Sequence, residues 1–521
     1  MSVKIGLLID NGQILRWQSD ALRELQSKYE VSVALNCTNT TFKRRPFKHF
    51  VYYLINIFLM KNILTKSERL CRDIPVIDFE SEFDGSWQKL PRSLCKQLRE
   101  EKIDIIIKFG LGLLKVDNIE SIPILSYHHG DPSKYRGRPA GFYEILNKEN
   151  AAGIIVQRIS NVLDGGEIYA FTHSKVLHHS YRNTMMEFYT NSRFLLVRAV
   201  DNFLTDNIYQ LDSSGKNYRL PSNVEGFIFL LFILRQAILR VASALVFEKK
   251  WDFMETEHLD FTKVNVLDVS GKATLTKKYA FVADTFYSLS NPNIVFAEGM
   301  DKRAGLGTII QYDMVTGDTR EILKGHHYSY PFPILFQGQE YILPEVASFS
   351  PPFLQHIGDP GNRLYIKGLE EHRCIDPTVF LNDGTYYFFF GDAGINSHTL
   401  RLFWSATLDD VFVEHPNSPI TTSIIGGRMA GRIVRDNNSV YRFGQDNSGD
   451  YGDGIVIHKI STITREHYKE FKTGSIKFLS HKGPHTIDCR DGKILLDWYQ
   501  AKFSLCAGYR RLRAMSASKN K

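Results

Sequence analysis

Four segments in the C-terminal half repeat one pattern: an apolar run, a tight turn and a second run rich in apolar or aromatic residues. They are residues 333–342 (PILFQGQEYI), 378–388 (TVFLNDGTYYF), 432–441 (RIVRDNNSVY) and 486–495 (TIDCRDGKIL). Gly, Asn and Asp at the turns supply the positive φ that a tight hairpin needs. The turns recur about every 46 to 54 residues, the period of propeller blades rather than of shorter repeats. Adding residues 291–298 as a first blade predicts an all-β five-bladed propeller over residues 251–515. Because each blade buries a face on the next, the pattern has to recur, and few other folds accommodate it.

Residues 1–205 have a different texture. Residues 3–9 are an apolar strand ending at Asp10-Asn11-Gly12, residues 15–29 have helical spacing, and residues 31–35 form a second strand. This is the β-α-β opening of a doubly wound sheet, without the Gly-x-Gly-x-x-Gly that a dinucleotide would need. Residues 103–107 form a buried strand ending at Phe109-Gly110, and Ile124-Leu125 lead into residues 126–139 (SYHHGDPSKYRGRP). The imidazoles therefore sit at the C-terminal edge of a strand, where open α/β sheets hold ligands. Strands over 153–157 and 168–176 flank Leu163-Asp164-Gly165-Gly166, and one amphipathic helix over 183–204 closes the domain. A histidine and a carboxylate brought from different strand ends make an acid/base pair.

Two apolar segments fit neither half. Residues 50–60 follow Lys43, Arg44, Arg45 and Lys48 and precede Lys61 and Lys66. They are too short to span a bilayer, which takes ~20 residues. In the linker over 206–250, residues 227–247 are helical and contain Arg235 and Arg240, which argue against a membrane span. The reading is a buried helix for the first and an interdomain helix packed on both sides for the second. Peripheral membrane contact is the open alternative for both.

The stretch from Ser126 to Gly166 resembles the formyltransferase family, which includes methionyl-tRNA, glycinamide ribonucleotide and sugar-nucleotide N-formyltransferases. Members carry Asn-x-His at a strand end, then a Tyr-Arg-Gly-x-x-Pro-like loop, then Leu-Asp-x-Gly. The resemblance covers roughly residues 1–205 and implies a Rossmann-like formyltransferase fold. Residue by residue, it makes His128 and Asp164 the catalytic pair and puts Ser126 where the family has its asparagine, which is a departure. It further implies 10-formyltetrahydrofolate as donor, held by backbone around Phe109, Gly110, Leu111, Gly112 and Leu113, with Tyr135 and Arg136 meeting the substrate. In formyl transfer an oxyanion develops and needs donors. A serine hydroxyl has less reach than an asparagine amide, and losing one such donor costs about 10²–10³ in rate.

The repeat half resembles the five-bladed propellers of arabinanase and β-xylosidase glycoside hydrolases. It is closer still to the propeller domain of plant glucosamine inositolphosphorylceramide transferases. The residues carrying this are Ala283-Asp284-Thr285-Phe286, Glu298, Glu345 and Ile375-Asp376-Pro377, with His485 and Trp498-Tyr499 fitting the last blade. Asp284, Glu345 and Asp376 would then converge at the central funnel and bind carbohydrate.

A length of 521 residues calls for more than one core, and 43% hydrophobic with 23% charged residues is ordinary for a globular chain. A net charge of +7 without a basic stripe gives no support for nucleic acid. Cys37, Cys71, Cys95, Cys374, Cys489 and Cys506 show no metal-site spacing, so no metal is expected. Reduced thiols and a start without a signal peptide point to the cytoplasm, or the inner face of its membrane. The functional expectation is an N-formyltransferase acting on an amino sugar, either a sugar nucleotide or a glycan precursor. The alternative is a carbohydrate-binding or glycoside-processing propeller carried by a degenerate formyltransferase domain. Oligomeric state is not legible.

Overall fold

The computed structural model describes residues 3–39, 47–70, 73–83, 87–269, 278–301, 305–359 and 361–511. Lys43, Arg44, Arg45, Cys71 and the tail after Arg513 lie outside the described residues. The chain divides into two compact units, Met1–Ile238 and Leu239–Lys521.

The first unit is built on a mixed nine-stranded sheet. Strands β1 (Lys4–Asp10), β2 (Glu30–Cys37), β3 (Val76–Phe79), β4 (Ile105–Lys108) and β5 (Ile124–His128) run parallel. β6 (Ala151–Arg158) and β7 (Glu167–Lys175) join antiparallel, giving the order β7-β6-β5-β4-β1-β2-β3. Short strands Gln13–Leu15 and Ser67–Arg69 extend the end of β1. Around the sheet lie helices α1 (Arg16–Gln26), α2 (Phe50–Ile55), α3 (Arg92–Glu100), α4 (Phe142–Leu146), α5 (Tyr181–Ser192) and α6 (Leu195–Leu204). The central strands are apolar on both faces because both are covered. Ile5, Leu7, Ile105 and Ile107 pack with Leu22, Phe188 and Leu196, while Leu8, Leu35 and Ile106 pack with Leu94 and Leu98. Chain direction through the sheet reverses between β1 and β4, which puts the crevice at their C-terminal ends.

Two expectations are corrected here. The single helix over 183–204 is two, α5 and α6. Arg193 breaks the ladder because its N–H turns back to the Thr190 carbonyl and its guanidinium pairs with Glu24, 2.5 Å away. Helix α7 (Asn223–Val246) is not packed on both sides. Only Gly226 and Phe229 are buried, and its most apolar window is 6% buried, although it is long and apolar enough to cross a bilayer.

The second unit is a five-bladed propeller. Blades 1 to 3 are four-stranded sheets beginning with Val282–Tyr287, Ser329–Phe336 and Cys374–Asn382. Blade 4 begins with Ile425–Met429 and takes Val264–Leu267 as an added parallel strand. Blade 5 pairs Ile487–Arg490 with Lys493–Phe503 and is completed by Phe247–Glu257, from the other end of the unit. That strand closes the ring, so no long sheet edge is left open there. The repeated turns are two-residue hairpins. Gln337-Gly338, Asp383-Gly384, Asn437-Asn438 and Asp491-Gly492 all have positive φ, as a type I′ turn requires.

A second repeat positions the chemistry. In blades 1 to 4 the first strand shifts register by a bulge at Ala283/Phe286, Ser329/Phe332, Ile375/Thr378 and Ile425/Arg428. The bulged residues Asp284 (φ 52°), Tyr330 (φ 47°), Asp376 (φ 47°) and Gly426 (φ 83°) all lie in the left-handed region. A bulge re-aims a side chain, and here the re-aimed side chains include two carboxylates.

Candidate functional site

In the first unit, Ser126 and His128 share one face of β5 because side chains alternate along a strand. Cross-strand register sets Lys108 of β4 on one side of Ser126 and Gln157 of β6 on the other. Asp164 (φ 48°) returns on the loop between β6 and β7 and places Oδ1 3.4 Å from His128 Nδ1. His128 Nε2 is 3.0 Å from the Tyr135 carbonyl oxygen. Carboxylate and carbonyl are both acceptors, so each ring nitrogen of His128 faces a group to which it can only donate. Asp164 Oδ2 accepts from the Gly137 N–H at 2.7 Å, and Gln157 Nε2 reaches Oδ1 at 3.5 Å. The Lys108 amine faces Asp10 and Asp164. Burial pulls it down to about 8, against the pull of those two carboxylates.

The predicted residues of this half fall into two groups. His128, Asp164 and Ser126 come together, and Tyr135 and Arg136 form the segment that covers them. Arg136 Nε donates to the Leu163 carbonyl at 3.0 Å, and residues Tyr135–Gly137 pair with Lys216–Tyr218. Under this cover the cavity is about 10 Å³, enough for about one water. A cleft of about 390 Å³ adjoins the Asp164 turn, lined by Ile124, Arg158, Asn161, Gly165 and Gly166. Of the expected donor loop, Phe109 packs against Trp17 and Tyr127, and Leu111 donates its N–H to the Asp10 carboxylate at 3.0 Å. Gly110 has no room for a side chain, since a Cβ would stand 2.7 Å from the Ile9 carbonyl carbon. Gly112 and Leu113 are exposed at the edge. His129 points the other way, into an aromatic cluster with Trp17, Tyr127 and Phe188. Burial and the neighbouring His128 hold it down to about 3, so it is a neutral core residue. Lys108 and Gln157 were missed by sequence reasoning. The signal for Lys108 was a lone charge closing the apolar run 105–107, at the edge where ligands sit.

In the propeller two of the three predicted carboxylates, Asp376 and Glu345, share Arg428, and Asp284 is held by a separate set. Asp376 takes a two-point contact from Arg428, Nε to Oδ2 and Nη2 to Oδ1 at 3.1 Å. Arg428 Nη2 is also 3.6 Å from Glu345 Oε2, and that oxygen accepts the Asp376 N–H at 3.0 Å. Asp284 accepts from Thr486 Oγ1 at 2.7 Å and from the Tyr330 N–H at 3.2 Å. His485 lies between Asp284 Oδ1 (3.2 Å from Nε2) and Asp497 Oδ2 (2.5 Å from Nδ1). The second contact is an ion pair by distance rather than a well-directed hydrogen bond. Although burial opposes its charge, Asp497 and Asp284 hold the imidazolium up to about 10.

Glu298 and Glu345 go the opposite way. Burial, and then the Asp284 and Glu345 charges, raise the Glu298 carboxyl well above its ordinary range, and its Oε1 has no hydrogen-bond partner. Burial and the Asp376 charge push Glu345 up to about 8 although Arg428 pulls it down. Asp284, His485 and Asp497 hold ligand-type atoms within 4.8 Å of one another. A metal there would displace the proton that now sits between the two carboxylates. Arg428, Tyr330 and Gln445, which donates to Asp376 Oδ2 at 2.9 Å, were also missed. Tyr330 was findable, standing 46 residues after Asp284 and 46 before Asp376.

These shifts fix a pH dependence. His485 rises from 6.5 to about 10 and Glu345 from 4.5 to about 8 in the folded state. A raised folded value adds stability that is complete below the unfolded value and is lost as pH climbs through the folded one. The melting temperature should therefore fall as pH climbs from about 4.5 to 10, and fall less steeply above 6.5 in His485→Gln. A flat profile in the wild type would contradict the clamp.

Comparison with known proteins bears on the two halves separately. The family described as glucosamine inositolphosphorylceramide transferase 1, N-terminal, matches residues 279–494. Glucosamine inositolphosphorylceramide transferase 1 of Oryza sativa subsp. japonica is 30% identical over 204 residues, covering 36% of this chain and 27% of that protein. The Arabidopsis thaliana protein of the same name is 26% identical over 167 residues, covering 31% and 22%. The chain thus spans about a quarter of the length of these relatives. Among solved structures, phosphoribosylglycinamide formyltransferase from Anaplasma phagocytophilum aligns at 14% identity and a TM-score of 0.29, covering 43% of this chain and 96% of that one. A 4-N formyltransferase from Francisella tularensis aligns at 15% and 0.30, covering 44% and 87%.

Proposed function

We propose that the chain is a transferase that moves a formyl group from 10-formyltetrahydrofolate to the amine of an amino sugar, with the propeller recognising carbohydrate. The observation that carries this is the His128–Asp164 pair at the crevice edge, with Lys108 and Ser126 on the same face. The donor set fits a folate-borne formyl group: an imidazole, an amine and a hydroxyl stand on one face of the sheet, where they can serve a developing oxyanion. The bound folate supplies the activated formyl carbon. Asp164 holds the imidazole and helps take the proton of the attacking amine, His128 donates to the carbonyl oxygen as the new C–N bond forms, and that proton returns to the folate nitrogen as its bond to the formyl carbon breaks. For that, His128 Nε2 must leave the Tyr135 carbonyl, so residues 135–139 lift during turnover. The acceptor class is supported by the match of the propeller to transferases whose name carries a glucosamine.

In this reading Lys108 supplies the donor that the family's asparagine would have given and that Ser126 is too short to give. Lys108→Met should lower kcat by about 10²–10³, and adding Ser126→Asn should recover part of it. Steady-state kinetics on both variants checks this, and an unchanged kcat in Lys108→Met would remove Lys108 from the site.

A second reading is favoured by one observation. Within the funnel, Glu345 and Glu298 are raised while Asp284 is lowered, the split that glycoside hydrolysis uses for acid and base. It predicts release of aryl aglycone from a glycoside panel, abolished in Glu345→Gln. Absence of turnover across the panel leaves the funnel a binding site.

A further inference from the structure

Helix α2 and the first-unit part of α7 lie side by side, and none of the described residues of that unit covers their outer faces. Helix α2 meets α7 where Val51 packs on Gly226, whose missing side chain lets the backbones approach; a Cβ there would stand 2.8 Å from Val51 Cγ1. Asn223 locks the pair, accepting the Val51 N–H at 3.1 Å and donating to the Phe47 carbonyl at 2.9 Å. Both buried faces rest on one ring: Phe142 lies 6.0 Å from Tyr52 of α2 and 4.1 Å from Phe229 of α7. Their opposite faces therefore look outward together.

Those outward faces are apolar. On α7 they carry Phe227, Leu231, Leu234 and Ile238, 59%, 68%, 57% and 59% exposed, and on α2 and the turn after it Phe50, Leu54, Ile57 and Phe58. Monomeric chains rarely leave so large a contiguous apolar surface uncovered. The charged residues of these two stretches are mostly basic. Residues 47–66 and 223–238 contain Lys48, Lys61, Lys66 and Arg235 and a single acid, Glu225. That carboxylate is already used, accepting from Ser222 N and Oγ at 2.7 Å.

We propose that this two-helix face docks on the surface of an anionic lipid bilayer. The side chains sink to the acyl boundary, and the lysines and Arg235 meet the headgroups. A second copy of the chain is the rival occupant, since Phe227, Leu231, Leu234 and Ile238 have the spacing of a coiled-coil seam. It would bring the same cations against one another, whereas an anionic surface neutralises them.

The test is flotation of the full chain with vesicles of phosphatidylcholine alone and of an equal mixture with phosphatidylglycerol. The wild type should float with the mixture and be released by about 1 M salt, where the screening length is ~3 Å. The exposed double variant Phe227→Gln with Leu231→Gln should stay unbound while keeping the wild-type circular dichroism. The proposal is overturned if the wild type fails to float, if it floats equally well with neutral vesicles, or if the variant floats as well as the wild type. Self-association abolished by the double variant, without vesicle binding, would assign the face to a second copy.

Discussion

His128→Ala lowers kcat/KM for formyl transfer by about 10²–10⁴-fold and leaves the fold in place. The ring is mostly buried, and its two polar contacts are with the Asp164 carboxylate and the Tyr135 carbonyl. Neither acceptor is stranded in an apolar core by its loss, because Asp164 keeps its bonds from Gly137 and Gln157. The effect should therefore appear in kcat with little change in melting temperature. Asp164→Asn should be milder, since the asparagine carbonyl can still accept from Gly137 and face the His128 ring while the carboxylate that takes the proton is gone. Equal activity of His128→Ala and wild type, measured by formylated product, would remove this histidine from the chemistry.

Arg428→Met in the propeller carries the largest stability effect. Arg428, Asp376 and Glu345 are largely buried, and the guanidinium is the cation between two carboxylates, with its plane 5.1 Å from the Tyr451 ring. Removing one member of a buried pair leaves an uncompensated charge and costs about 3–5 kcal/mol. Denaturant unfolding of the full chain at neutral pH should show that loss in the transition belonging to the propeller. A loss under about 1 kcal/mol, the size of an exposed pair, would mean that solvent reaches the funnel floor.

The architecture was legible because two of its periods are written in the residues. The apolar runs 5–9 and 103–107 can only be central strands covered on both faces, and they are. The hairpin turns announced the blades through residues that tolerate positive φ. Two things were hidden. The bulge that aims Asp284, Tyr330 and Asp376 depends on how the first strand of each blade is held by its neighbours, and two aspartates, a tyrosine and a glycine do not read as one repeated position. Lys108 is distant in sequence from Ser126 and becomes its neighbour only through the register of β4 on β5. Helix α7 misled for a related reason. Its composition is that of a buried helix, and composition does not say what covers it.

Calorimetric titration of the full chain with 5-formyltetrahydrofolate, a stable analogue of the proposed donor, tests the account most directly. It predicts one-site binding with a dissociation constant on the order of micromolar, weakened in Gly110→Val, where a side chain has no room beside Ile9 and Asp10. A folded protein that takes up no folate at saturating concentration would contradict it, and would leave the propeller funnel as the working site of the molecule.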